Sequence, residues 1–169
     1  MKRIILSIAL LAISFMQYAG AQDKTLALSF NKSLGSYYNL KNALAKDNAE
    51  AAQKLASVLQ ADIKAVPHKG FAINAQHELW MQQSSQMQQK LTELSTQSDL
   101  DSQRKSFKEI SNAMVTMATE LKINDKKAYV QYCPMGKYTW LNEVKEVQNP
   151  FYGSKMYDCG EVKATISKR

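Results

Sequence analysis

Apolar residues recur every three or four positions through most of this chain, the spacing of one face of an α-helix. Between Ala27 and Ala45 the stripe runs Phe30, Leu34, Tyr37 and Leu44, widened by Tyr38 and Leu40, and predicts a first helix. Gly35 inside it costs about 1 kcal/mol relative to alanine. Asp47 followed by Glu50 fits a capping box opening a second helix. Ala52, Leu55, Leu59, Ile63 and Val66 give that helix its face, and Pro67 stops it. So short a connection as Asp47-Asn48 predicts an antiparallel hairpin. After a loop at His68-Lys69-Gly70, Asn74 is placed to cap a third helix reaching about Thr96. Its stripe is Trp80, Ser84, Met87, Leu91 and Leu94, with glutamine crowding the other faces. Ser98-x-x-Asp101 fits a second capping box, for a fourth helix to about Lys122. Phe107, Met114 and Leu121 share a face there with Arg104 and Ser111, and Ile110 and Met117 flank it.

The helical period stops at Asn124-Asp125-Lys126-Lys127. Tyr129 to Tyr132 is short and β-prone, and Pro134 ends it. Asn149-Pro150 and Cys159-Gly160 are turn signals that divide what remains. The pattern therefore predicts a mainly α protein. It is an antiparallel four-helix bundle with a C-terminal, mostly irregular cap, over about residues 125–169, containing short β segments. Tyr132, Trp140, Leu141, Val147, Phe151 and Tyr152 make that cap aromatic-rich, so it must dock on the bundle.

The first residues follow another logic. Lys2 and Arg3, an apolar run from Ile4 to Met16, and Ala19-Gly20-Ala21 have the form of a secretory signal peptide over residues 1–21. The apolar run is too short to span a bilayer. A single domain over residues 22–169 is expected to be exported, with no membrane span after cleavage. Loss of Lys2 and Arg3 lowers the formal net charge from +7 to +5. The lysines are dispersed and do not interleave with aromatic residues, which argues against nucleic acid as a partner.

Candidate chemistry concentrates in the cap. Both cysteines lie there, each near a methionine, as Cys133-Pro134-Met135 and Met156-Tyr157-Asp158-Cys159. Thiolate and thioether sulfur suit soft ions such as Cu(I) and Ag(I). Cys133, Met135, Met156 and Cys159 are therefore candidate metal ligands if the two halves of the cap meet. Zinc fits less well, because a four-ligand nitrogen/sulfur set is missing. The other readings are free, inert thiols and a Cys133–Cys159 disulfide, normal for an exported protein, whose loop closure stabilises by about 3 kcal/mol in the chain-entropy picture. His77 and Met81, four residues apart on the third helix, form a second and weaker candidate site with Met117 of the fourth. His68 carries less promise. Catalysis finds no support: Gly-rich phosphate loop, nucleophile elbow, H-E-x-x-H helix and C-x-x-C pair are all missing from the sequence. The expectation is a protein that is not an enzyme.

The residues from Tyr129 to Gly160 also carry a resemblance. Tyr129-Val-Gln-Tyr-Cys133-Pro134-Met135, then Trp140-Leu141, then Glu146-Val-Gln-Asn149-Pro150-Phe151-Tyr152-Gly153, then Met156 and Cys159-Gly160, resemble the family called domain of unknown function three-three-four-seven. Leu100-x-x-Gln103-Arg104-x-x-Phe107-x-x-Ile110-Ser111 resembles its last helix. Members are small exported bacterial proteins, and the domain is also appended to periplasmic adaptor subunits of copper and silver efflux pumps. Tyr132-Cys133-Pro134-Met135 is similar, too, to the opening of the heavy-metal-binding domain of such adaptors. The resemblance implies a periplasmic protein linked to heavy-metal handling, with Cys133, Met135, Met156 and Cys159 as sulfur ligands for Cu(I) or Ag(I). It implies an efflux adaptor or another envelope protein as partner. The alternative remains a structural or interaction module of the envelope, holding a Cys133–Cys159 disulfide.

Overall fold

The computed structural model describes the backbone of residues 2–168 and the side chains of residues 24–168. The side chains of the expected signal peptide and its cleavage site, residues 1–21, lie outside the described ones. Four helices come first: α1 (Lys2–Ala45), α2 (Ala49–Lys64), α3 (Asn74–Leu94) and α4 (Leu100–Leu121). Three strands follow, β1 (Ala128–Cys133), β2 (Tyr138–Asn142) and β3 (Glu161–Ile166), in an antiparallel sheet of order β2-β1-β3. Single 3-10 turns lie at His68–Gly70 and Gly153–Lys155. The fold is mainly α with a small β cap, as the periodicity predicts. Consecutive helices pack on one another, and β2 lies on α4. Among the described residues no helix is long and apolar enough to cross a membrane.

Three helix starts differ from expectation by one residue, and at the first the difference has a use. Asn48, not Asp47, caps α2, its side chain accepting from the Ala51 amide at 2.9 Å. Asp99, not Ser98, caps α4 through the Ser102 amide. Asn74 is already the first residue of α3, whose N-cap is Ile73 and has no side-chain cap. Asp47 instead adopts a left-handed conformation (φ 56°) and turns toward the cap. There it accepts from Arg104 Nη2 at 2.5 Å and from the Ser154 amide at 2.9 Å. Hydrogen bonding from Ser154 first, and then from Arg104, holds its carboxyl well below the usual carboxylate range against the opposing effect of burial. Arg104 also donates to the carbonyls of Pro150 and Leu44, both at 2.9 Å. One guanidinium thus joins α4, the α1–α2 corner and the cap.

Aromatic packing makes the rest of that joint. Tyr37 stacks on Phe107, Phe107 meets Phe151, and Phe151 stacks on Tyr138 with centroids 4.2 Å apart. Trp140 closes on Phe151 edge-on. The free edge of β2 is covered as well. Tyr37 Oη accepts from the Leu141 amide and pairs with Ser111 Oγ, which donates to the Thr139 carbonyl. An edge strand that would otherwise present open backbone groups is sealed by two side chains of the bundle.

Lys41 is the least expected member of the core, because its side chain is fully buried. It donates to Asn142 Oδ1, to Gln148 Oε1 at 2.9 Å, and pairs with Glu143 at 3.2 Å. Burial pulls its amine down to about 8, partly opposed by Glu143. Between that value and the ordinary lysine value of 10.5 the unfolded chain holds more protons than the folded one. Stability therefore rises with pH across this window, and the penalty for the charged amine is complete below it. From pH 7.5 to 9.5 the Lys41 contribution should raise unfolding free energy by up to about 2 kcal/mol. Urea unfolding of wild type and Lys41→Met across that range checks this: the rise should be smaller in the variant by that amount, and parallel curves would refute it.

Candidate sulfur site

The two cysteines meet. β1 delivers Cys133 to the inside of the cap, where it is fully buried, and a four-residue turn, Pro134 to Lys137, returns the chain into β2. Lys137 takes positive φ (54°) in that turn. The chain then circles the sheet and re-enters it at Glu161, opposite Tyr132. That register sets Cys159 beside the end of β1, with Sγ of Cys159 3.4 Å from Sγ of Cys133. Gly160 permits the close approach. It has φ 149°, and a Cβ there would come within 3.0 Å of the Tyr132 carbonyl and the Trp140 ring.

Asn149 holds the returning chain in place. It is fully buried, and its Nδ2 donates to the Cys159 carbonyl at 2.8 Å. Its Oδ1 accepts from the amides of Phe151 (2.9 Å) and Tyr152 (3.2 Å), while its own amide donates to Tyr157 O. Read as a sequence, Asn149-Pro150 signals only a turn. The structure makes the asparagine the clamp that sets the height of Cys159 against Cys133. The signal that could have found it is chemical: an asparagine before proline offers two donors and an acceptor to local backbone.

The methionines stand differently. Met156 is half-buried, and its carbonyl accepts from the Cys159 amide at 3.2 Å, so both belong to one tight turn. Met135 lies on the β1–β2 turn and is 70% exposed. A pocket of about 560 Å3 opens near the cap, but basic and aromatic side chains, among them Arg104, Lys108, Lys155 and Tyr152, line it and neither cysteine does.

The two thiols are electrostatically unequal. Burial works against a Cys133 thiolate, but hydrogen bonding from the Gly136 amide, Cys159, the Met135 amide and Asn149 outweighs it and brings this thiol below its ordinary value. The Cys159 thiol is raised, first by its hydrogen bond to Cys133, then by burial and the neighbouring charges. Such a pair gives up its first proton as a unit. The resulting thiolate is both the nucleophile of disulfide exchange and the ligand form for a soft ion.

The second candidate set is rearranged. Met117 is sealed in the core, while Met81 is 44% exposed, so the helical spacing does not bring these two to a common opening. His77 meets His68 instead, with His68 Nδ1 3.1 Å from His77 Nε2.

Beneath the cysteines a polar network supports the sheet. Gln131, fully buried on β1, accepts from Trp140 Nε1 (2.9 Å) and Asn142 Nδ2 (3.1 Å) through one oxygen. Its Nε2 faces the carbonyls of Lys145 and Glu146, each at 3.1 Å. Asn142 passes the network on to Lys41.

No curated protein sequence and no solved structure matches this chain. The profile of a family described as "Protein of unknown function (DUF3347)" matches residues 34–126. That span contains the last quarter of α1 and the next three helices and stops just before β1, so the cysteine-bearing cap follows it. Covering more than half of the 169 residues, the match shows that this chain belongs to the DUF3347 family.

Proposed function

We propose that this protein is an exported, periplasmic binder of a soft monovalent ion, Cu(I) or Ag(I), and that Cys133 and Cys159 are its principal ligands. The observation that carries the reading is the 3.4 Å approach of the two sulfurs across 26 positions of chain, with one thiol eased toward its thiolate. Soft ions take thiolate ahead of oxygen donors, and Met156, on the turn that carries Cys159, is a fitting third donor. Met135 is close in sequence but open to solvent, where it is suited to meeting an incoming ion or a partner. The role is binding and transfer to a heavy-metal efflux adaptor or another envelope protein, with no catalytic step.

The test is competition for Cu(I) between the reduced chain and a chromophoric chelator. Wild type should compete for a first equivalent that depends on both cysteines. Cys133→Ser or Cys159→Ser should weaken binding at least about a hundredfold, and Met156→Leu about tenfold. Failure of the wild type to compete, or equal binding by the cysteine variants, would remove this reading.

A second reading is favoured by the same contact. The sulfurs are about 1.4 Å farther apart than a bonded pair, and Met135 points to solvent rather than joining them. In an oxidising compartment the pair would then be a structural disulfide, and the protein an interaction module of the envelope. Protein recovered from that compartment with no free thiol, together with no Cu(I) uptake after reduction, is the outcome that selects it.

A further inference from the structure

A different pair of side chains meets at the start of α3. His68 lies in the 3-10 turn after Pro67, and His77 in the first turns of α3. Their rings stack with centroids 5.3 Å apart and 29° between planes. Among the described residues, the hydrogen bond between Nδ1 of His68 and Nε2 of His77 is the only one either ring makes, and neither has a carboxylate partner. Met81 follows His77 by one helical turn, so the two share a face. Met81 and His68 also line one open pocket of about 350 Å3 between α2 and α3.

The separation fits shared coordination. With metal–nitrogen bonds of about 2.0–2.1 Å, nitrogens 3.1 Å apart subtend roughly 95–100° at a common ion. A hydrogen bond alone also explains 3.1 Å. The pocket beside that bond adds a donor of another kind, because the exposed Met81 lines it together with His68. Imidazole suits copper, and a thioether in the set selects its monovalent state and silver. Lys64 on the pocket wall opposes a cation, but it is exposed and its charge is screened.

We propose that His68, His77 and Met81 form a second, thiol-free site for a soft monovalent cation. It contains no thiol, so it keeps its donors when Cys133 and Cys159 pair as a disulfide. The two sites would therefore answer to different conditions, and this one stands or falls independently of the cysteine site.

The experiment removes the cysteines. Silver(I) is titrated into the Cys133→Ser/Cys159→Ser chain, with binding read by calorimetry and by 15N shifts of the imidazoles. Wild-type chain oxidised to its disulfide runs in parallel, so that a fold lost in the double variant is not mistaken for a lost site. One equivalent should bind and move the resonances of both His68 Nδ1 and His77 Nε2. Met81→Leu should weaken binding about tenfold and His77→Gln about a hundredfold. Silver that leaves both imidazoles unmoved in the oxidised wild type overturns the proposal, as do His77→Gln and Met81→Leu chains that bind like their parent.

Discussion

Gln131→Leu should lower the unfolding free energy by about 3 kcal/mol, the largest loss expected from a single near-isosteric change in the cap. The glutamine is fully buried and serves five partners. Leucine keeps the volume but leaves Trp140 Nε1 without an acceptor inside the core, at a cost of about 1–3 kcal/mol. It also releases the carbonyls of Val144, Lys145 and Glu146, which hold the loop after β2 against the sheet. Asn142 keeps its bond to Glu146 O but loses the oxygen that orients it toward Lys41. A buried amine is then less well solvated, which adds to the loss. Urea unfolding monitored at Trp140 and Trp80 should show the midpoint falling with the slope unchanged. A loss below about 1 kcal/mol would mean that water replaces the glutamine and that the network is not a support.

Asn149→Ala should separate the thiols. Its side chain ties three backbone groups together, two amides through Oδ1 and the Cys159 carbonyl through Nδ2. Alanine leaves those groups unpaired in a buried setting, so a stability loss of about 2–4 kcal/mol follows. The more telling effect is on the sulfurs. With Cys159 no longer held at the height of Cys133, the rate of disulfide formation under a mild oxidant should fall at least about tenfold. The reactive thiol should also titrate closer to an ordinary cysteine, because Asn149 is one of the groups that lower Cys133. Asn149→Asp keeps the acceptor but not the donor: the Phe151 and Tyr152 amides remain satisfied, while the Cys159 carbonyl and the Cys133 thiol lose their donor and face a carboxylate instead. Unchanged oxidation kinetics in both variants would show that the sheet register alone positions Cys159.

How far the sequence foretells this structure depends on the element. The helices are legible because Phe30, Leu34 and Tyr37 on α1, and Ala52, Leu59 and Ile63 on α2, repeat at helical spacing and are buried; within the α2 stripe Leu55 is only partly buried, and Ala56 fills the row between Ala52 and Leu59. The starts are off by one because Asp47-Asn48 and Ser98-Asp99 each offer two competent caps, and only tertiary contact decides between them. Arg104 settles the first case by drawing Asp47 away. The cap was harder. β2 buries Trp140, Leu141 and Asn142 in succession, because α4 covers it from one side and the loop network from another. β3 exposes most of its residues. Neither strand shows a period of two, and only pairing with β1 defines them.

At the site, two cysteines in one short tail invite the inference that they meet, and they do. That inference cannot see which residue does the holding. Asn149, Gln131 and Lys41 are polar, and polar residues in a sequence read as surface. Lys41 carried one hint: it lies four residues after Tyr37 and three before Leu44, within the apolar stripe itself. His68 carries little signal in the sequence because a loop residue has no periodicity, and its approach to His77 depends on the turn after Pro67.

X-ray absorption at the copper edge of the reduced chain loaded with one equivalent of Cu(I) puts the central claim to its most direct test. A first shell dominated by sulfur, replaced in the Cys133→Ser/Cys159→Ser chain by a mainly nitrogen shell with at most one sulfur from the His68, His77 and Met81 set, is the result this account predicts. A shell without sulfur in the wild type, or one unchanged when both cysteines are replaced, would contradict it.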